Sequence, residues 1–111
     1  MISKYRELET PALLIDYDQL INNINFMQSK ADRFKVALRP HTKTHKMPYL
    51  AKMQIEAGAS GITVAKVGEA EVMAEQGMDD IFIANEIVGE DKLERIKNLS
   101  RFINISTGVD C

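Results

Sequence analysis

Several features that would assign a protein to a class are scarce or missing in this sequence of 111 residues. The only cysteine is Cys111, so no internal disulfide can form, and this usage suits a reducing compartment. No apolar run approaches the roughly 18 residues of a membrane-spanning helix, and residues 1–16 lack the apolar core of a signal peptide. A net charge of −2 gives no basic footprint for nucleic acid or an anionic membrane. We therefore expect a cytoplasmic protein with neither partner.

What is present is the composition of one globular domain over residues 1–111, with 45% hydrophobic and 27% charged residues. Helical and strand-like patterns alternate along it. The first helix is expected over 17–34, with an apolar face formed by Leu20, Ile24, Met27 and Ala31. Further helices are expected over 47–59, 66–77 and 88–99, and strands over 34–39 and 102–106 and from about 62 and 81.

A short unit repeats in the middle of the chain. Gly58 and Gly77 are each followed, four residues later, by an isoleucine that opens an apolar strand. Strand starts separated by about 20 to 27 residues indicate consecutive β/α units with a parallel sheet. Right-handed crossovers would curl this sheet as in an eight-fold barrel, and a doubly wound open sheet is the competing architecture. The absence of a glycine-rich phosphate loop argues against a nucleotide-binding version of the doubly wound sheet.

Four parallel strands are half of an eight-stranded barrel, which typically takes ~250 residues. We therefore expect a partial (β/α)8 TIM-type barrel of the α/β class, forming about the first half of the barrel. Half a barrel leaves an open strand edge and exposed apolar surface. The chain is then expected to be part of a longer protein, and self-association, for example as a homodimer, is the alternative way to cover those edges.

The segment "LRPHTKTHKMP" (38–48) concentrates positive charge directly after an apolar run. If the extended run continues through Pro40, alternation places Arg39, His41 and Lys43 on the side opposite Leu38, toward the barrel mouth. Lys43 would then end the strand. A lysine that is buried or surrounded by positive charge is more readily neutral and can attack a carbonyl. A solvated basic loop explains the same charges equally well.

His41 and His45 are four residues apart, which would suit a metal site on a helix. Here the segment is predicted to be strand and turn, and the chain has no third histidine. We therefore predict no metal site formed by this chain alone.

The motif "RPHTKTHK", followed by "GASGITVAKVGEAEVMAEQG" and "DIFIANEIVG", resembles the D-threonine aldolase and D-serine dehydratase family. The opening "ETPALLIDYDQLINNI" also matches, so the resemblance runs from about residue 9 to about 105. Members of this family have an N-terminal barrel similar to that of alanine racemase, which binds pyridoxal 5′-phosphate. The resemblance implies that Lys43 forms the internal aldimine with the cofactor.

Other positions of the matching motifs are candidates for cofactor or substrate contact. His41 could contact the cofactor or influence Lys43, with a packing role as the alternative, and Arg39 could do the same or form a structural ion pair. Thr63 and Glu69 lie at and just after the end of one strand, and Asn85 and Glu86 at the end of the next. For Glu69, a charge partner at a helix N-terminus is the alternative. The cofactor-binding candidates are thus Lys43, His41, Arg39, Thr63, Glu69 and Asn85.

The resemblance implies a lyase that acts on a small D-3-hydroxy amino acid, by aldol cleavage or by dehydration. An amino-acid racemase and a non-catalytic pyridoxal-phosphate protein are the alternatives. Family members also use a divalent metal (manganese, magnesium or zinc) that is held by residues of a C-terminal region. In these proteins, loops of later strands hold the phosphate of the cofactor. Because neither region is present, we expect the 111 residues to be inactive alone.

Overall fold

Residues 2–110 are described by a computed structural model, with side chains from residue 4 onward. A parallel sheet in the order β1–β2–β3 is at its centre. The strands are β1 (Ile62–Val64), β2 (Asp80–Glu86) and β3 (Asn104–Gly108). The helices are α1 (Tyr17–Arg33), α2 (Pro48–Glu56), α3 (Val67–Glu75) and α4 (Glu90–Leu99), with short 3-10 helices at Ile2–Tyr5 and Thr42–Thr44. The predicted β/α order is confirmed.

The repeated glycines end α2 and α3 in the same way. Gly58 and Gly77 have φ angles of +123° and +92°, which favour glycine over residues that carry a Cβ. Gly58 N donates to Ile55 O, and the next amide, of Ala59, donates to Gln54 O. Gly77 and Met78 repeat this pair of bonds at the end of α3. Both helices therefore end in the Schellman pattern, which turns the chain directly into the next strand.

The core lies between the sheet and the helices that connect its strands. Ile62, Val64, Ile81 and Ile83 are fully buried on the helix-facing side of β1 and β2. They pack with residues of α2 and α3, namely Ala51, Val67, Ala70 and Met73. Burying a side chain of this size stabilises the fold by about 1.5–3 kcal/mol. Alternation along the strands leaves Thr63 and Phe82 on the opposite side of the sheet.

Three sequence predictions need correction. The segment predicted as a strand over 34–39 is an extended segment at 36–41, because Phe34 caps α1 and Lys35 adopts a left-handed φ of +55°. The strand predicted at 102–106 begins at Asn104, because the amides of Phe102 and Ile103 still bond to Leu99 O. On the predicted apolar face of α1, only Ala31 is buried.

The apolar residues before α1 do not join the core of the described chain. Leu13 is fully exposed, and Leu14 and Ile15 are also exposed. Within residues 2–110, we find no helix with the length and apolarity needed to cross a membrane.

Candidate functional site

Lys43 lies in a turn that follows the first extended segment of the barrel. Residues 36–41 run parallel to β1, with Ser60 N donating to Leu38 O and Thr63 N donating to Pro40 O, both at 2.8 Å. The pairing ends at a single bridge between His41 and Thr63, since Thr42 begins a 3-10 helix. The extended run therefore stops two residues before Lys43, contrary to the prediction that Lys43 ends the strand. Its exposed side chain belongs to the turn at the carboxyl edge of the sheet.

The lysine turn, defined as residues 41–46, is fixed to β1 on one side and closed on itself on the other. Thr42 is 1% exposed, and its hydroxyl donates to Thr63 O at 3.2 Å. Lys46 N donates to Thr42 O at 2.7 Å. Lys46 has a left-handed φ of +52°, which costs a residue with a Cβ about 1–2 kcal/mol. These bonds compensate for that strain and fix the backbone on both sides of Lys43.

Both histidines of the chain bond to this local backbone. The Nδ1 atom of His41 accepts from Lys43 N at 3.2 Å, and that of His45 accepts from Met47 N at 3.0 Å. The Nε2 atom of His45 lies 3.2 Å from Gln54 Oε1 in α2. The structure shows no partner for His41 Nε2 among residues 2–110. His45 is thus used to connect the turn to α2, whereas His41 keeps one nitrogen available.

The electrostatic surroundings of His41 favour its neutral form. Burial lowers its pKa below the ordinary value, the positive charge of Lys43 lowers it further, and the negative charge of Glu69 opposes the shift. A neutral imidazole can serve as a hydrogen-bond partner at neutral pH without adding another cation beside Lys43.

Glu69 is the acidic group of this region. Its side chain is 11% exposed, and its Oε2 accepts from Ala65 N, in the loop after β1, at 2.7 Å. Its Oε1 lies 3.7 Å from Lys46 Nζ. The carboxylate therefore connects the loop after β1 to the lysine turn. Its position in the first turn of α3 is also where a negative charge stabilises a helix.

Arg39 lies at the other end of the strands. Its Nη1 donates to Asp80 Oδ1 at 2.9 Å and to Ile62 O at 3.4 Å, and these two residues begin β2 and β1. The same bond holds the pKa of the Asp80 carboxyl below its usual range. The structure thus shows Arg39 in the ion pair that was the structural alternative, and its participation in a cofactor site stays a prediction.

The remaining candidates, at the ends of β1 and β2, make different contacts. Thr63 is buried, and its hydroxyl lies 3.4 Å from Arg39 O, so it binds the neighbouring strand segment. Asn85 is exposed at the carboxyl end of β2, where its backbone oxygen accepts from Thr107 Oγ1 at 2.9 Å. Glu86 ends β2 and pairs with Gly108 after an irregularity in the register. The strand ends thus share one edge with the lysine turn.

The register adds residues that motif reasoning missed. His41 pairs with Thr63, Thr63 with Phe82, and Phe82 with Ser106. Residues paired in a parallel sheet project to the same side, so these four form one row facing away from the helix core. Phe82 and Ser106 could have been found by applying the alternation of "IFIAN" and "NIS" to the predicted register.

The described residues contain no group of three or more His, Cys, Asp or Glu side chains arranged to hold a metal ion.

A parallel β/α sheet with a lysine-bearing turn at its carboxyl edge defines the opening units of a β/α barrel, a fold that carries its chemistry at that edge. The family model for the alanine racemase N-terminal domain matches residues 15–110, and the chain belongs to that family.

Known proteins support the same assignment. The chain is 45% identical over 103 residues to the D-threonine aldolase of an Arthrobacter species, covering 93% of this chain and 27% of that protein. It is 48% identical over 77 residues to the D-threo-3-hydroxyaspartate dehydratase of Delftia sp. strain HT23, covering 69% and 20%. The crystal structure of D-threonine aldolase from Filomicrobium marinum superposes with a TM-score of 0.92 at 40% identity, covering 94% of this chain and 28% of that one.

The chain therefore spans about a quarter of the length of the curated relatives it matches. The expected family and the expected fold class, an alanine racemase-like partial β/α barrel, are confirmed.

Proposed function

We propose that this chain supplies the cofactor-anchoring part of a pyridoxal-phosphate-dependent lyase that acts on D-3-hydroxy amino acids. The observation that carries the proposal is the lysine turn. It holds an exposed amine at the carboxyl edge of the first barrel strand, beside an imidazole nitrogen that has no partner within residues 2–110. The similarity to a D-threonine aldolase and to a D-threo-3-hydroxyaspartate dehydratase supports the substrate class.

The side chains at this edge fit the aldehyde end of the cofactor. Lys43 supplies a primary amine, and His41 Nε2 can bond to a polar atom of a group held by that amine. When bound, pyridoxal phosphate supplies an electron sink for negative charge that develops on a substrate carbon. Lys43 would hold and orient that group, and its amine, when free, could act as a base toward the substrate. Thr63, Glu69 and Asn85 complete the edge around it.

The proposal assigns the phosphate site and the divalent metal of the active protein to residues outside this chain. Of the two lyase reactions, neither is favoured by a contact in residues 2–110, and the racemase alternative shares the same lysine. We place the active protein in the cytoplasm and expect it to self-associate.

The test uses the complete gene product that contains these residues. After incubation with pyridoxal phosphate, borohydride reduction and peptide mapping should locate the cofactor on Lys43. Lys43→Ala should abolish both the visible absorbance band of the bound cofactor and all turnover, because no other amine occupies its position. Lys46→Ala is the matched control and should keep the band and measurable turnover. If Lys46→Ala loses the band while Lys43→Ala keeps it, the assignment of the lysine is wrong.

Substrate assays separate the reactions. D-Threonine, D-serine and D-alanine should be supplied with and without a chelator, and glycine, pyruvate or L-alanine measured as products. Glycine or pyruvate, lost with chelator, supports the metal-assisted lyase. L-Alanine supports the racemase. Tight cofactor binding without turnover of these substrates or of D-threo-3-hydroxyaspartate supports a non-catalytic cofactor protein.

A further inference from the structure

Two lysines of the lysine turn, Lys43 and Lys46, are close enough in sequence to compete for one aldehyde. Their surroundings differ in the acidic groups that they contact. Lys46 Nζ lies 3.7 Å from Glu69 Oε1, whereas no acidic side chain lies within ion-pair distance of Lys43 among residues 2–110. The amine of Lys46 therefore already has a carboxylate partner, whereas the amine of Lys43 has none among the described residues.

Glu69 is well placed to act on Lys46 because its own position is fixed. The carboxylate is almost buried, and its second oxygen accepts from Ala65 N at 2.7 Å. Ala65 directly follows β1, to which the turn is already bonded through Thr42 and Thr63. The carboxylate therefore sits at a defined point of the sheet edge, and Lys46 approaches it from the turn.

We propose that Glu69 is a positioning residue that selects Lys43 over Lys46 as the cofactor amine, by holding the Lys46 ammonium and the end of the lysine turn against the loop after β1. This inference rests on the proposed function. It gives Glu69 a part that acts through Lys46, and no contact of Glu69 with the cofactor is needed.

The strained backbone at Lys46 supports this role. A left-handed φ of +52° at a residue with a Cβ persists only where its surroundings hold it. The bond from Lys46 N to Thr42 O holds the backbone, and Glu69 holds the far end of the side chain. The negative charge of Glu69 also opposes the lowering of the His41 pKa, so its influence extends to the other side of Lys43.

The experiment measures how reductive labelling by pyridoxal phosphate is distributed between Lys43 and Lys46 in the complete gene product. Glu69→Gln keeps an acceptor for Ala65 N and removes the charge. We expect the share of label on Lys46 to rise about two- to fivefold, which is the strength of a partly exposed ion pair. Glu71→Gln is the matched control, because it breaks the ion pair between α3 and Arg95 of α4 and leaves the turn untouched. It should not change the distribution.

A second pair of variants tests Lys46 from its own side. Lys46→Arg keeps the ion pair and cannot form the cofactor link, whereas Lys46→Met loses the pair. The rate of Lys43 labelling should be maintained in Lys46→Arg and fall about two- to fivefold in Lys46→Met. A merely structural role of Glu69 would lower total labelling in proportion to the folded fraction, measured by circular dichroism, without moving label to Lys46. An unchanged distribution in Glu69→Gln overturns the inference while Lys43 labelling preserves the proposed function. Absence of label from both lysines in the unsubstituted protein overturns both.

Discussion

Gly61→Ala is the substitution whose cost follows most directly from the geometry. A Cβ on Gly61 would lie 2.7 Å from the backbone oxygen of Asp80 and would overlap Nη1 of Arg39. The overlap requires the guanidinium to give way, and the contact with the Asp80 oxygen requires a shift of the sheet backbone at Asp80. Arg39 would then lose its bonds to Ile62 O and to Asp80. The perturbation thus acts on the amino end of the sheet, away from the lysine turn.

Two effects add up to the expected cost. Forcing a methyl group into a packed site typically costs about 1–3 kcal/mol. The ion pair between Arg39 and Asp80, with both side chains 30% exposed, contributes about 1 kcal/mol at most. We expect Gly61→Ala to lower the free energy of unfolding by about 1–4 kcal/mol, a large part of a total that is ~5–15 kcal/mol for a typical domain.

Urea-induced unfolding of the complete gene product, followed by circular dichroism, measures this change. Gly68→Ala is the control, because Gly68 lies in the first turn of α3 and a Cβ there meets only Arg95 Nη2 at 3.8 Å. It should be neutral or stabilising by up to ~1 kcal/mol. Arg39→Met completes a double-mutant cycle with Gly61→Ala. If the two substitutions are strictly additive, the cost does not pass through the guanidinium and our reasoning is refuted.

Two further predictions concern stability. Arg39 holds the pKa of Asp80 below its unfolded value, so the unfolded state binds more protons on acidification. The stability that this pair contributes is present at neutral pH and is lost as pH falls below ~4. Asp80→Asn should therefore flatten the acid limb when urea midpoints are measured as a function of pH. Ile81→Ala should lower the free energy of unfolding by about 2–5 kcal/mol, because Ile81 is fully buried. Val88→Ala, at an 80% exposed position, should change it by less than ~0.5 kcal/mol. Equal losses in the two variants would contradict the core described above.

The β/α rhythm was predictable because its physical causes are local. A glycine two residues past a helix supplies the left-handed turn, and the isoleucine four residues later enters the buried side of a strand. Both requirements are met by residues close together in the sequence, as at Gly58 and Ile62, and therefore appear as a short repeat. The placement of β3 was less accurate because bonds to Leu99 extend the turn after α4, which no residue type signals.

The candidate site was predictable only in part, since alternation fixes the side of a sheet and not the height along a strand. It placed Arg39 and His41 on the same side, but two residues along a strand correspond to about 6.6 Å. That separation is sufficient to bring Arg39 to Asp80 at the amino edge and His41 to the lysine turn. The pairing of Lys46 with Glu69 depends on a left-handed residue and on packing between distant segments, neither of which a pattern reveals.

The bond from Lys43 N to His41 Nδ1 determines the polarity of any hydrogen bond that His41 makes to a ligand. An Nδ1 atom that accepts a backbone amide cannot carry the proton, so the neutral ring carries it on Nε2. His41 therefore presents a donor, and its ligand atom must be an acceptor such as a carboxylate, phenolate or phosphate oxygen. The main-chain amide of Lys43, two residues further along, therefore fixes the position of the proton on His41 before any ligand binds.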